Sequence, residues 1–176
     1  MRSRYKICNP GNTHFITSSI IKWTKIFTTE KYINILVEAI KYNQENKEFE
    51  IFAYVIMKDH FHLICRAEKL KNIVSSIKSY SAKMIIKQLK EDGKTRTLKI
   101  FEENKIPGKT DRQYQVWQEG YHPQVIVGDS MFLQKMNYIH FNPVRAGYAD
   151  DIFEWKYSSA RECFGEGEGV IRIDWR

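Results

Sequence analysis

The stretch that most constrains this chain is residues 54–66, YVIMKDHFHLICR, in which an apolar run is interrupted by two histidines one residue apart. Alternate side chains of a β-strand share a face, so His60 and His62 point the same way, with Cα atoms roughly 6–7 Å apart. At that spacing two imidazoles can converge on one divalent ion. Phe61 and Leu63 point the other way and read as core. The plainer description is a pair of histidines on the wet face of a sheet, and an isolated H-x-H does not separate the two.

A second segment, residues 129–148, reads DSMFLQKMNYIHFNPVRAGY. Asp129 or Ser130 suits an N-cap. Phe132, Leu133, Met136 and Ile139 recur at three- and four-residue spacing, which predicts a helix with one buried side. Gln134, Tyr138 and Asn142 form a polar stripe beside it. Pro143 and Gly147 predict that the helix stops here, with Tyr138 and Asn142 in its last turn. Such an end can present a phenol nucleophile next to an amide ligand. It equally describes a half-buried surface tyrosine and a capping asparagine, and spacing alone favours that second description.

Taken together, HFH at 60–62, YIHFNPVRAGY at 138–148 and WKYSSAR at 155–161 resemble the HUH single-tyrosine transposases. The nearer likeness is to the REP-associated tyrosine transposases, relatives of the insertion-sequence 200-like enzymes, and it runs from about residue 12 to residue 161 in the family's order. The resemblance implies a DNA endonuclease and transposase that nicks and rejoins single-stranded hairpin DNA. It makes Tyr138 the nucleophile and His60, His62 and Asn142 the ligands of a divalent ion, Mg²⁺ or Mn²⁺. One departure stands out. Where the family often reads M-P-N before the first histidine, this chain has Met57, Lys58 and Asp59, which adds charge beside the site.

The rest of the chain is compatible with that implication. Its 176 residues suit one domain, with residues 1–12 a loose lead-in and 162–176 a C-terminal tail. Lys and Arg total 28 against 21 Asp and Glu, a net charge of +7 that suits a polyanionic partner. Cys8, Cys65 and Cys163 are scattered without a C-x-x-C, so they read as the reduced thiols of a soluble cytoplasmic protein. No apolar run approaches the ~18 residues of a membrane span. Neither a Walker loop nor G-x-G-x-x-G is present, so no nucleotide cofactor is expected.

In chain order the patterns predict a strand over 13–23, a helix from Thr28 or Thr29 to about Tyr42, strands at 49–57 and 60–66, a helix over 68–92, and strands at 114–117 and 121–127. That order predicts an α+β fold, a ferredoxin-like α/β sandwich with a mainly antiparallel sheet, and a catalytic helix appended to it. Residues 93–112 read as a flexible loop broken by Pro107 and Gly108, and VIRIDW near the C-terminus as a short strand. The second helix carries a lysine- and hydroxyl-rich stripe from which Lys78, Tyr80, Lys83 and Lys87 are the expected DNA contacts, joined by Arg145 beyond the catalytic helix. His14 reads as strand packing. His122 and Tyr121 read as packing or DNA contact, and His140, facing away from Tyr138, as a cap or DNA contact. Tyr121 and Tyr148 are rival nucleophiles without a ligand four residues on.

A phosphodiester needs its charge neutralised and its leaving oxygen stabilised, which a metal supplies. A tyrosyl ester keeps the energy of the broken bond, so rejoining requires no ATP. Two imidazoles and an amide oxygen suit Mn²⁺ and Zn²⁺, whereas Mg²⁺ prefers oxygen. Two other classes fit parts of the pattern: a nucleic-acid-binding module with a vestigial H-x-H, and a metal phosphodiesterase that uses water. Monomer and homodimer are both compatible with the sequence.

Overall fold

In the computed structural model, residues 11–108 and 110–175 are described, so most of the expected lead-in and Cys8 lie outside the described residues. The first half of the fold is two β-strands joined through a helix, followed by a hairpin. β1 is Thr13–Ser19, α1 Glu30–Asn46, β2 Glu50–Ile56 and β3 His60–Arg66. The first strand is shorter than its composition predicts. After Ser19 the chain bonds briefly to Trp117 through Ile20 and enters a 3₁₀ turn, Ile21–Trp23. Then come α2 Leu70–Glu91, α3 Thr95–Glu103, β4 Gln124–Val125, α4 Gly128–Arg145 and the single turn α5 Ala160–Cys163.

The four strands form one sheet in the order β2-β3-β1-β4, and every neighbouring pair is antiparallel. Strand, helix, strand, strand, helix, strand in that spatial order is the ferredoxin-like sandwich expected from the sequence. Period-two alternation divides the sheet's two faces. Ile16, Tyr54, Phe61, Leu63 and Cys65 face one large core with Leu36 and Ile40 of α1 and Ile73, Ile77 and Ile85 of α2. Phe15, Val55 and Ile64 face the other way, and α4 lies across them through Ile139, Met136 and Phe132. A bulge in β2 between Ile51 and Ala53 turns both Phe52 and Ala53 to that second face.

Four local expectations are corrected. Residues 93–112 are not all loop, because α3 forms there and buries Phe101 completely in the larger core. The strand expected over 121–127 is only two residues long: His122 adopts a left-handed φ of 44°, and Pro123 after it has no N–H for a ladder. α4 does not stop at Pro143 but runs to Arg145. Its end is closed by a Schellman pair, in which Gly147 N donates to the Val144 carbonyl at 3.0 Å and Tyr148 N to the Pro143 carbonyl at 2.9 Å. Gly147 takes the required φ of +67°.

The segment expected as a C-terminal strand forms no ladder, because side chains take up its backbone groups. Ile171 N donates to the Tyr54 hydroxyl and Ile173 N to a Glu162 carboxylate oxygen. It nevertheless shields the free edge of β2. Asp174 N donates to the Ile51 carbonyl at 2.7 Å, and Ile56 N to the Tyr157 carbonyl at 2.9 Å. Among the described residues no helix is long and apolar enough to cross a membrane.

Candidate active site

The register of β1 on β3 builds the site. Thr17 lies directly opposite His62 and Ser19 opposite His60, all on the face that α4 covers. The His60 and His62 rings have centroids 4.8 Å apart, so the two imidazoles do meet. Each has one nitrogen already engaged. His62 Nδ1 is 2.7 Å from Thr17 Oγ1, and His60 Nδ1 is 2.6 Å from Asp59 Oδ1. Both Nε2 atoms are thereby left for another partner, and that of His62 is buried without one among the described residues. Phe15 stacks on the His62 ring at 5.2 Å. Burial, with the nearby His60 and the Lys135 ammonium, lowers the His62 pKa to about 3, so it is a neutral imidazole with a free lone pair at any ordinary pH.

α4 brings Tyr138 onto this pair. Its ring sits 5.3 Å from His62 and 5.9 Å from Phe15, edge-on to both, and it is 41% exposed, so it is open to solvent. Two cations of the same helix lie over aromatic rings of the site. The Arg145 guanidinium lies 5.5 Å from the Tyr138 ring centre, and Lys135 Nζ 4.7 Å from that of Phe15. Asn142 is half-buried one turn beyond Tyr138, and its backbone carbonyl accepts the Ala146 N–H at 3.0 Å. No group of three His, Cys, Asp or Glu side chains able to hold a metal exists among the described residues.

His140 is neither a cap nor an exposed contact. It is buried with Nε2 2.9 Å from Ser159 Oγ, which in turn accepts the Tyr54 N–H at 2.9 Å, so it pins α4 to β2 and α5. Burial pushes its pKa down to about 4. His14 packs on the larger-core side of β1, its Nδ1 at 2.7 Å from the Asn12 carbonyl. Tyr121 is half-buried against that core, and burial raises its hydroxyl to about 12. Tyr148 lies with its ring against Trp155 and under Lys58 Nζ, 3.8 Å away. Among the described residues, Tyr138 is the tyrosine whose ring meets His62.

Of the expected DNA contacts, Arg145 lies over the Tyr138 ring. α2 packs on the opposite layer of the sheet, so Lys78, Tyr80, Lys83 and Lys87 are separated from His62 by the sheet itself. Lys78 is also engaged, donating to the carbonyls of Gln118 and Gly120 at 2.8 and 2.5 Å. Thr17, Phe15 and Lys135 complete the site and were not singled out from the sequence. Asp59 was noted there only as an added charge. No linear pattern marks Thr17, since its place follows from the pairing of β1 with β3.

A ferredoxin-like sheet whose H-x-H face lies under a tyrosine-bearing helix is the arrangement of a tyrosine transposase. The chain belongs to the IS200-like transposase family, which matches residues 11–142. It is 28% identical over 149 residues to a Haemophilus influenzae protein provisionally named REP-associated tyrosine transposase, covering 85% of this chain and 80% of that one. It is 23% identical over 165 residues to the REP-associated tyrosine transposase of Escherichia coli, covering 94% and 85%. A solved REP-associated tyrosine transposase bound to a REP hairpin has the same fold, with TM-score 0.69 and 20% identity over all of this chain and 92% of that one.

Proposed function

We propose that this protein, acting as a single domain, cleaves and rejoins single-stranded or hairpin DNA in a metal-dependent reaction that passes through a 5′-phosphotyrosine at Tyr138. The observation that carries the reading is the Tyr138 ring resting on His62, whose Nε2 is buried and unpartnered among the described residues. A hairpin partner is suggested by the relative that was solved with one.

His60 and His62 would hold the ion through Nε2, with Asn142 as third ligand and Mg²⁺ or Mn²⁺ as the ion. The donor set fits. Thr17 and Asp59 occupy the Nδ1 atoms, which orients both rings, and the Asp59 carboxylate, an acceptor, favours the proton on Nδ1 of His60. When bound, the ion supplies charge neutralisation at the phosphate and at the departing oxygen.

The chain's own residues do the rest. Tyr138 Oη attacks the phosphorus, the bond from phosphorus to the 3′-oxygen breaks, and that oxygen leaves as a 3′-hydroxyl while the phenol proton passes to water. The 5′-phosphate stays on Tyr138, and a 3′-hydroxyl attacking it reverses each change. Arg145 over the Tyr138 ring and Lys135 over the Phe15 ring beside His62 supply positive charge that would favour a bound phosphate. Because one chain supplies both Tyr138 and the H-x-H, the reading needs no second copy. Any contact from Lys78, Tyr80, Lys83 or Lys87 would be made away from the cleavage point.

The test is a denaturing gel of protein with labelled hairpin DNA pools, with Mn²⁺ or EDTA. Wild type gives a slowly migrating protein–DNA band with Mn²⁺ only, and Tyr138→Phe gives none, with cleavage reduced at least ~10³-fold. Cleavage that persists in Tyr138→Phe points instead to attack by water. Binding without cleavage in every condition points to a vestigial site.

A further inference from the structure

Three non-glycine residues among those described adopt a left-handed φ, and two of them are consecutive: Lys22 at 54° and Trp23 at 49°. Such a conformation is unfavourable for bulky L-residues and persists only where the surroundings enforce it. Here they do. Trp23 N donates to the Ile20 carbonyl at 3.0 Å, and Thr24 N and Oγ1 donate to the Ile21 carbonyl at 3.2 and 2.8 Å. Both ends of the segment are tied to the Lys58–Asp59 turn, with Ile20 N donating to the Asp59 carbonyl at 2.8 Å and Phe27 N to that of Lys58 at 2.9 Å. Asp59 is the residue that orients His60.

The result of this enforced turn is an indole held outward. Trp23 is 64% exposed, on a fixed backbone, between Lys22 and Lys25, which are exposed and form no ion pair among the described residues. Its Cα lies three residues from Ile20, hence within about 11 Å of it. Core packing does not account for strain that exposes the largest apolar side chain. Among the other exposed aromatics of the described residues, Tyr42 on α1 and Tyr80 on α2 lie in the layer across the sheet, Tyr138 and Phe141 belong to α4, Phe164 meets His140 and Phe153 edge-on, and Trp175 follows Asp174 at the β2 edge.

We infer that Trp23 is a stacking platform for an unpaired base of the DNA strand within a few nucleotides of the cleaved phosphate, with Lys22 and Lys25 at the flanking phosphates. The inference rests on the reading of the protein as a single-strand nuclease and adds a site for the base. A flat indole accepts any base, and two ammonium groups beside it match the charge of a strand lying across it. Rigidity of the turn means that the platform is ordered before DNA arrives, so less entropy is lost on binding.

The experiment measures binding of a mixed-sequence single-stranded oligonucleotide in a Tyr138→Phe background, and adduct formation on a hairpin with a single-stranded 5′ flank in the Tyr138 background. Trp23→Ala weakens single-strand binding about 5- to 150-fold, whereas Trp23→Phe keeps most of it. An abasic site at one flank position costs the wild-type platform a similar factor and costs Trp23→Ala nothing further. Equal melting temperatures of the two variants exclude misfolding, which an exposed position makes improbable as a cause.

Unchanged binding in Trp23→Ala, or no recovery in Trp23→Phe, overturns the platform while leaving the tyrosyl mechanism intact if adducts still form. Absence of both binding and adduct with Trp23 and Tyr138 present removes the nuclease reading and the platform with it.

Discussion

Thr17 and His62 face each other across the β1–β3 ladder, and the 2.7 Å contact between them shows how an imidazole of the proposed metal site can be oriented by a threonine on the neighbouring strand. Thr17→Val keeps the shape and removes the hydroxyl, so Nδ1 loses its partner. The half-saturating Mn²⁺ concentration for cleavage should rise, or the rate fall, by about 10–100-fold. An unchanged Mn²⁺ titration would remove Thr17 from the site. At this scale the sequence exposes residues whose spacing is itself the signal, such as the H-x-H pair and the tyrosine four residues before an asparagine. It hides Thr17, Phe15 and Lys135, because their roles arise only when strands far apart in the chain are brought into register and a helix is laid over them. Asp59 stood between these cases: adjacent to His60 and visible as a charge, it required the folded turn to become a hydrogen-bond partner.

Among the elements, the strong periodic signals of α1, α2, β2 and β3 were legible to within a few residues at their ends, since each has a long apolar pattern and a burial partner of its own. α3 was not. TRTLKIFEE is nine residues long between a glycine and a proline-containing turn, and its helical form depends on Phe101 reaching the larger core. Phe101→Ala should therefore cost about 3–5 kcal/mol in urea unfolding, although the residue lies in a stretch with loop-like composition. A cost under about 1 kcal/mol would mean that α3 is packed far more loosely than this. β4 fell short for a local reason, the His122–Pro123 pair, and α4 overran Pro143 because a Schellman end downstream, anchored by Gly147, closes the helix.

Across the whole molecule, the sheet divides the labour. One face buries α1 and α2 and supplies the larger core; the other carries the histidines beneath α4. Connectivity and strand order were readable in advance because the βαββαβ succession admits few other arrangements. What composition could not convey was which layer each charged stripe would occupy, so the lysines of α2, prominent in the sequence, lie across the sheet from His62. The Trp23 turn, quiet in the sequence, is bonded to the Lys58–Asp59 turn that precedes His60 instead.

The central claim is that Tyr138 carries the DNA. It is tested most directly by trapping the reaction on hairpin DNA with Mn²⁺, digesting with nuclease and trypsin, and sequencing the modified peptide by mass spectrometry. Cleavage after Lys135 and Arg145 isolates residues 136–145, in which Tyr138 is the sole tyrosine. A nucleotide 5′-phosphate on that residue is the predicted result. The same mass on the peptide of Tyr121 or Tyr148, or cleaved DNA with no modified peptide, would contradict it.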